Sequence, residues 1–113
     1  MEIDEFDGLA WHALAYQNKQ AIGTGRLVLL EPGYGQIGRM AVLPSHRGKG
    51  IGADILRHLI DLARQQEVQN LILHSQVTAI PFYEKLGFVV DGPTYDEAGI
   101  AHRNMMLLLP PQT

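Results

Sequence analysis

The sequence contains no cysteine, and that absence excludes several kinds of chemistry. Without cysteine among its 113 residues, the chain has no disulfide framework, no thiolate nucleophile and no cysteine-based zinc site. Its five histidines show no H-x-x-x-H or similar ligand spacing, so we assign no metal. Any group transfer is therefore expected to be direct, without a covalent intermediate on the enzyme.

The sequence also has little net charge and no long apolar run. The formal net charge is −3 and the basic residues are dispersed, which leaves no positive stripe for a phosphate backbone, so nucleic acid is not an expected partner. No apolar run approaches the roughly 20 residues of a membrane span. The start, Met1 to Glu5, is acidic where a signal peptide is basic. We expect a cytoplasmic protein with no membrane partner.

The rest of the composition, with 46% hydrophobic residues, is that of an ordinary globular protein, and the length indicates one domain over residues 1–113. Apolar patterns predict two helices, at 50–67 and 78–86, the second capped by Thr78 and ended by Gly87. Residues 1–8 are expected to be a lead-in, and residues 92–99 a connection. The predicted strands are 9–16, 21–30, 36–43, 70–75, 88–90 and 103–109.

This order of elements predicts an α/β (α+β) fold with a mixed, mostly antiparallel sheet. The first three strands form a meander, and the third reaches the strand at 70–75 through a helix, which is a βαβ crossover between parallel neighbours. Both helices are expected to pack on the sheet. Gly23 and Gly25 lie on one face of the second strand and indicate a bend or close packing there.

A glycine-rich turn joins the third strand to the first helix. It reads Arg47-Gly48-Lys49-Gly50-Ile51-Gly52, and its glycines let the backbone approach a ligand closely. The free amides and the dipole of the following helix favour phosphate oxygens, with Arg47 and Lys49 as nearby cations. The spacing matches neither a Walker A loop nor the Rossmann fingerprint. A tight turn without any ligand is the structural alternative.

Read as R-x-x-G-x-G, this turn resembles the acetyl-CoA signature of the GNAT superfamily of N-acetyltransferases. A second landmark of that superfamily, F-Y-x-K-x-G-F, occurs at residues 82–88. Residues 37–42 and 97–102 are similar to the ElaA-like group, although that group has proline where this chain has Ala101. The resemblance implies the GNAT fold, acetyl-CoA as cofactor and an amine as acceptor.

The resemblance also implies which residues hold acetyl-CoA. The strand that ends at His74 would diverge from the third strand, leaving room for the pantetheine arm along Met40, Ala41 and Val42. An amide near Met40 or Ala41 would polarise the thioester carbonyl. Gln76 stands where many members have an asparagine that contacts the cofactor. The implied binding residues are Met40, Ala41, Val42, Arg47, Gly48, Lys49, Gly50, Ile51, Gly52, Gln76 and Tyr83.

Tyr83 is the general acid that the resemblance implies, since a neutral phenol can protonate the departing thiolate. Its alternative reading is an aromatic packing residue. The candidates for a base are His12, His74 and the pair of His102 with Glu97, which we prefer on the acceptor side. Each of these residues could instead be purely structural.

GNAT domains ordinarily begin with a strand and two helices that form one wall of the acceptor site, whereas the predicted meander starts at Leu9. The resemblance therefore implies a missing wall, an uncovered edge on the first strand and an uncovered sheet face, which favour association as a homodimer. The leading function is acetyl transfer to the amine of a small molecule or peptide. The alternatives are a non-catalytic module that binds CoA or oligomerises, and a nucleotide-binding protein.

Overall fold

The computed structural model of the chain describes residues 2–5 and 9–111, with side chains described from residue 9 onward. Its strands and helices follow one another in the order predicted for a sheet interrupted by one long helix. They are β1 (Glu2–Glu5), β2 (Ala10–Gln17), β3 (Gln20–Leu29), β4 (Tyr34–Val42), α1 (Ile51–Gln65), β5 (Asn70–Gln76), α2 (Ile80–Glu84), β6 (Val89–Val90), β7 (Tyr95–Glu97) and β8 (Ile100–Leu108).

One mixed sheet contains all of these strands, in the order β1-β2-β3-β4-β5-β8-β6, with β7 also paired to β8. Neighbours are antiparallel except β4 and β5, which are parallel and connected through α1. The predicted meander, the βαβ crossover and the mostly antiparallel sheet are therefore confirmed. The mixed order places the two parallel strands at the centre of the sheet.

The helix α1 covers one face of the sheet with its apolar side. Ile55, Leu59 and Ala63 are fully buried, as their helical spacing predicts, while Asp54 and Arg57 on the other side are exposed and paired. The half-buried Phe82 of α2 and the buried Phe88, which follows α2, belong to the same core. Both helices therefore contribute to one hydrophobic cluster on this face.

Two glycines of β3 let α1 approach the sheet closely. A Cβ on Gly25 would lie 2.8 Å from Ile55 and 2.9 Å from Leu59, and a Cβ on Gly23 would lie 2.8 Å from Ile55. Real Cβ atoms do not approach other heavy atoms so closely, so both positions require glycine at this helix distance. The close packing that the pattern of Gly23 and Gly25 indicated is confirmed.

Strand β4 contains a bulge opposite Gly25. Thr24 pairs with Ala41 and Arg26 pairs with Gly38, so β4 holds one more residue than β3 over this stretch. The extra residue adopts a left-handed conformation at Arg39, with φ of +54°, which is uncommon for a residue other than glycine. A β-bulge redirects the side chains that flank it. Met40 therefore packs over Gly25, whose Cβ would lie 2.6 Å from the Met40 sulfur.

The prediction that residues 1–8 are only a lead-in is wrong for residues 2–5. They form β1, which pairs antiparallel with β2 from Glu2–Leu14 to Glu5–Trp11. The expected uncovered edge of β2 is therefore covered along this register. Residues 6–8 lie outside the described part of the chain.

Two further predictions are corrected near the end of the chain. The connection at 92–99 contains the short strand β7, and β8 begins at Ile100 rather than at residue 103. Thr78 does not cap α2, because residues 77–79 form a 3-10 turn whose Val77 carbonyl accepts the Ile80 amide. Pro81 in the first turn has no N–H to cap. The helix ends at Glu84 instead of Leu86, and residues 85–87 form a turn that finishes at Gly87, whose φ is +99°.

We predict that Gly25→Ala lowers the free energy of unfolding by about 1–3 kcal/mol, because the new methyl group overpacks the Ile55, Leu59 and Met40 contacts. Gly38→Ala is the matched control across the same bulge, since its Cβ would have only Arg26 near it, at 3.9 Å. Urea denaturation of the two variants measures the difference. Equal stability of Gly25→Ala and the wild type would contradict the close packing.

Candidate functional site

The glycine turn presents an open stretch of backbone at the start of α1. Gly48 and Gly50 have φ of +79° and +80°, and a Cβ on either residue would meet no atom within 4 Å. Gly50 is the N-cap of α1. Gly52 is already helical and faces the ring of Phe82, 3.5 Å from its Cβ position. The turn therefore leaves space where side chains would otherwise stand, beside the free amides of the helix.

Side chains before the turn hold it in place. The Nε of Arg47 donates to the carbonyl of Val42 at 3.1 Å, so Arg47 is tied to the end of β4 instead of being a freely mobile cation. His46 lies between Ser45, at 2.8 Å from its Nδ1, and Gln17, at 2.6 Å from its Nε2. Sequence reasoning missed this link, because Gln17 lies at the end of β2, far from His46 in the chain.

A groove of about 670 Å³, the turn groove, runs from the glycine turn along β4 to α2. All of the residues predicted to bind the cofactor line it, except Lys49 and Gln76. Lys49 is exposed, and Gln76 ends β5 on the far side of the β4–β5 cleft. The structure thus brings nine of the eleven predicted positions together in one groove.

The strands β4 and β5 diverge beyond the middle of the sheet. Their parallel pairing runs from Tyr34–Asn70 to Ile37–Leu73, although β4 continues to Val42 and β5 to Gln76. The predicted divergence near His74 is confirmed. The opening holds a second cavity of about 260 Å³, the cleft cavity, whose lining includes Arg39, His74, Gln76 and His102.

Tyr83 lies where the two cavities meet. Met40, Ala79 and Tyr83 line both the turn groove and the cleft cavity. The Tyr83 ring contacts Phe82 and Phe88 edge to face, with centroids 5.0 and 6.0 Å away. Burial raises the pKa of the Tyr83 phenol above its usual value of 10. The phenol is therefore neutral over the whole range of ordinary working pH and can donate a proton.

His102 and Glu97 form the pair that the sequence suggested. His102 is buried, with 8% of its surface exposed, and its Nε2 lies 3.4 Å from Glu97 Oε2. Its Nδ1 lies 2.8 Å from the carbonyl of Ile100, which can only accept, so Nδ1 carries the hydrogen. Neutral His102 therefore has its lone pair on Nε2. When Nε2 accepts a proton, the adjacent Glu97 carboxylate can stabilise the positive ring. Of the other candidate bases, His74 lines the same cleft cavity as His102, and His12 lies on β2.

Sequence reasoning missed the aromatic support of His102. The Tyr95 ring stacks on His102 with centroids 6.0 Å apart, and His74 contacts Tyr95 edge to face. The Tyr95 hydroxyl donates to Asn104 at 2.7 Å. Partial burial and the nearby Glu97 carboxylate raise the pKa of Tyr95. The short strand β7 creates this arrangement, and its only clue in the sequence was Tyr95 inside a polar connection.

Comparison with known proteins gives consistent results. The family model described as an acetyltransferase (GNAT) domain matches residues 3–109. The uncharacterized N-acetyltransferase YjcF of Bacillus subtilis is 37% identical over 106 residues, which cover 93% of this chain and 75% of YjcF. A crystal structure from Lactobacillus plantarum, assigned as an N-acetyltransferase, superposes with a TM-score of 0.83 at 29% identity, covering 89% of this chain and 70% of that one.

More distant structures share the fold alone. Escherichia coli ElaA has a TM-score of 0.79 at 22% identity, with 86% of this chain and 67% of ElaA covered. A Bacillus anthracis protein assigned as a streptothricin acetyltransferase, solved with acetyl coenzyme A, has a TM-score of 0.78 at 21% identity, with 89% and 63% covered. Among the helices that the structure describes, none is long and apolar enough to cross a membrane.

The raised pKa of Tyr83 leads to a prediction about stability at high pH. Because the fold favours the neutral phenol, the contribution of Tyr83 to the free energy of unfolding is complete below the pKa of an unfolded tyrosine, about 10. It decreases as the pH rises above that value. The wild type should therefore lose stability relative to Tyr83→Phe above about pH 10.

Urea denaturation at a series of pH values measures this difference. Tyr16→Phe, at an exposed tyrosine of β2, is the control and should follow the wild type throughout. Parallel curves for the wild type and Tyr83→Phe would contradict the burial effect.

Proposed function

This chain belongs to the GNAT family of acetyltransferases, and from that premise we propose that it transfers an acetyl group from acetyl-CoA directly to the amine of a small molecule or peptide. The family membership makes it an N-acetyltransferase with acetyl-CoA as cosubstrate. The acceptor and the roles of individual residues are our proposal. One observation carries it: the turn groove and the cleft cavity meet at Met40, Ala79 and Tyr83.

The glycine turn is proposed to bind the diphosphate of acetyl-CoA. The open positions at Gly48 and Gly50 fit such a group, because a phosphate can approach the backbone where no Cβ intervenes. The amides that open α1 donate hydrogen bonds, and the helix dipole adds about half a positive charge at this end. Ile51, Gly52 and the tethered Arg47 complete this end of the groove, and Lys49 adds a flexible exposed cation.

The diverging part of β4 is proposed to hold the pantetheine arm. Met40, Ala41 and Val42 line the turn groove beyond the point where β4 stops pairing with β5. An amide near Met40 or Ala41 stabilises negative charge that develops on the thioester oxygen. Gln76, at the end of β5 and inside the cleft cavity, can contact the same arm from the opposite strand.

Acetyl-CoA supplies the activated acetyl group and a sulfur leaving group. We propose that Tyr83 gives its phenolic proton to that sulfur as the C–S bond breaks and the C–N bond forms, and that solvent reprotonates Tyr83. His102, with its lone pair on Nε2 and Glu97 beside it, takes the proton that the amine nitrogen loses. His102 then releases this proton to solvent, which matches the proton that Tyr83 regains, so the reaction needs no further reactant.

Positioning of the thioester and the amine is proposed to lower the reaction barrier more than removal of the amine proton does. An amine with a pKa of about 10.4 is neutral only about once in 2,500 molecules at pH 7, which costs about 4.6 kcal/mol. Holding the two reactants in attack geometry can contribute about 7–11 kcal/mol. His102 can therefore be a modest base, and water can share its role.

The cytoplasmic location and the homodimer remain predictions of the sequence.

We predict that Gly50→Val abolishes acetyl-CoA binding, because a branched side chain at the left-handed N-cap fills the space of the diphosphate. Gly33→Val is the matched control, since Gly33 also has a positive φ, +84°, with no atom near its Cβ position, and it does not line the turn groove. Both variants suffer similar backbone strain, on the order of 1–3 kcal/mol. Isothermal titration with acetyl-CoA distinguishes them, and equal affinities in the two variants would refute the assigned cradle.

We predict that Tyr83→Phe keeps acetyl-CoA affinity and slows acetyl transfer by about 100- to 10,000-fold, the usual contribution of a general acid. The measurement is thiol release from acetyl-CoA with a panel of amines, beside the binding titration. Tyr34→Phe, at an exposed tyrosine of β4, is the control. Loss of binding or unchanged turnover in Tyr83→Phe would contradict the role.

The same assay tests the non-catalytic alternative. A module that only binds CoA would raise its melting temperature with CoA and release no thiol with any amine. The presence of Tyr83 and His102 in the lining of one cavity favours the enzyme, because a binding module has no use for an acid and a base at that place.

A further inference from the structure

One arginine lines the cleft cavity, and a second lies close to one of the lining residues. Arg39, the bulge residue of β4, lines the cavity. Arg26 of β3 is the register partner of Gly38, the neighbouring residue of that lining. Its Nη2 lies 3.9 Å from the place where a Cβ on Gly38 would be. The absence of a side chain on Gly38 therefore leaves the Arg26 guanidinium next to the cavity wall.

Neither arginine is neutralised by the described part of the chain. There, the Arg39 side chain has no ion pair or hydrogen bond, whereas Arg47 and Arg103 each donate to a backbone carbonyl. The Nε of Arg26 is shielded from solvent and has no hydrogen-bond partner. Buried donors without a partner are rare in folded proteins. An acceptor that arrives with a ligand or a water molecule would satisfy this one.

The cleft cavity contains no described group that attracts an ammonium ion directly. None of its lining residues is Asp or Glu, and Arg39 is the one with a permanent charge. Glu97 contacts His102 from outside this lining and is largely exposed. An amine acceptor therefore gains little binding free energy from its own positive charge in this cavity. An anionic group on the same molecule would be attracted to Arg39.

The bulge accounts for the position of Arg39. The extra residue in β4 lets Met40 pack over Gly25 in the core while Arg39 stays exposed at the cavity. A non-glycine residue in the left-handed conformation is energetically unfavourable, and strained residues of this kind tend to cluster at functional sites. The strained backbone thus holds an unpaired cation beside the place where Tyr83 and His102 meet the same cavity.

Resting on the proposed function, we propose that the acceptor is a small amine that also carries a carboxylate, such as an amino acid, and that Arg39 binds this carboxylate with Arg26 beside it. The planar guanidinium offers two parallel donors that match the two carboxylate oxygens. The cleft cavity, about 260 Å³, is smaller than the sites of roughly 300–1,000 Å³ that hold drug-sized ligands. Arg39 is therefore a specificity-determining residue for a small acceptor.

The test uses pairs of acceptors that differ only in the carboxylate: phenylalanine with phenethylamine, and lysine with cadaverine. Thiol release gives kcat and KM for each compound with the wild type, Arg39→Gln and Arg39→Lys. Arg57→Gln, at an exposed arginine on the outer side of α1, is the control. The ratio of kcat/KM values within each pair is compared between the wild type and each variant, so that differences in amine basicity, which are the same for every enzyme, cancel.

We expect Arg39→Gln to lower kcat/KM by about 10- to 100-fold for the carboxylate member of each pair, mainly through KM, as the loss of a charge-assisted hydrogen bond implies. The member without a carboxylate should change by less than about 2-fold. Arg39→Lys should recover part of the loss, since it keeps the charge without the planar fork. Arg57→Gln should match the wild type on every compound.

A second measurement does not require turnover. Titration of N-acetylphenylalanine into the CoA-loaded protein should show weaker binding to Arg39→Gln, while the affinity of CoA itself stays unchanged. An equal loss of kcat/KM for both members of a pair, or equal binding of N-acetylphenylalanine by the wild type and Arg39→Gln, would overturn the proposal. Absence of thiol release with every acceptor, with the binding difference retained, would refute the catalytic function but not the carboxylate site.

Discussion

The turn groove and the cleft cavity depend on one constraint, the end of pairing between β4 and β5 at Ile37 and Leu73. Before that point the parallel strands are joined by backbone hydrogen bonds, and beyond it they move apart and leave two strand edges facing a cleft. Edges inside a folded sheet are costly unless something pairs with them. In the proposed function, the amide groups of the pantetheine arm pair with the freed edge of β4, and the cleft cavity beside it receives the acceptor.

The packing of α1 on the sheet fixes where the glycine turn lies relative to this opening. Its fully buried Ile55 and Leu59 rest on the glycines of β3, which bring the helix axis close to the sheet. The start of α1 is consequently held at the level of the cleft, where its free amides face the turn groove. A larger residue at Gly25 would move the helix and, with it, the glycine turn. In the proposed function, core packing and acetyl-CoA binding are therefore coupled through this contact.

The central strands and α1 could be predicted from the sequence because their apolar residues repeat with the right period, and the glycine turn and Tyr83 could be found from their motifs. Other features lacked such a signal. Three of the four residues of β1 are Glu or Asp, which have low strand propensity, so only pairing with β2 identifies it. The β7–β8 turn places Ala98 in a left-handed conformation that alanine rarely adopts. The bulge at Arg39 is likewise invisible in the sequence, because tertiary packing imposes it.

The short parallel ladder between β4 and β5 also has a consequence for how the chain folds. In the described residues, β1 to β4 form one antiparallel ladder and β5 to β8 another, and four register pairs of β4 with β5 join the two. The hairpins from β2 to β4 close small loops and form quickly, whereas β5 reaches β8 across residues 77–99 and the parallel junction must wait for its crossover helix. We expect the first ladder to form early and to dock last onto the second through α1. The cleft would then be the final feature to appear, so an incompletely docked chain would have its strands and still lack a place for substrate.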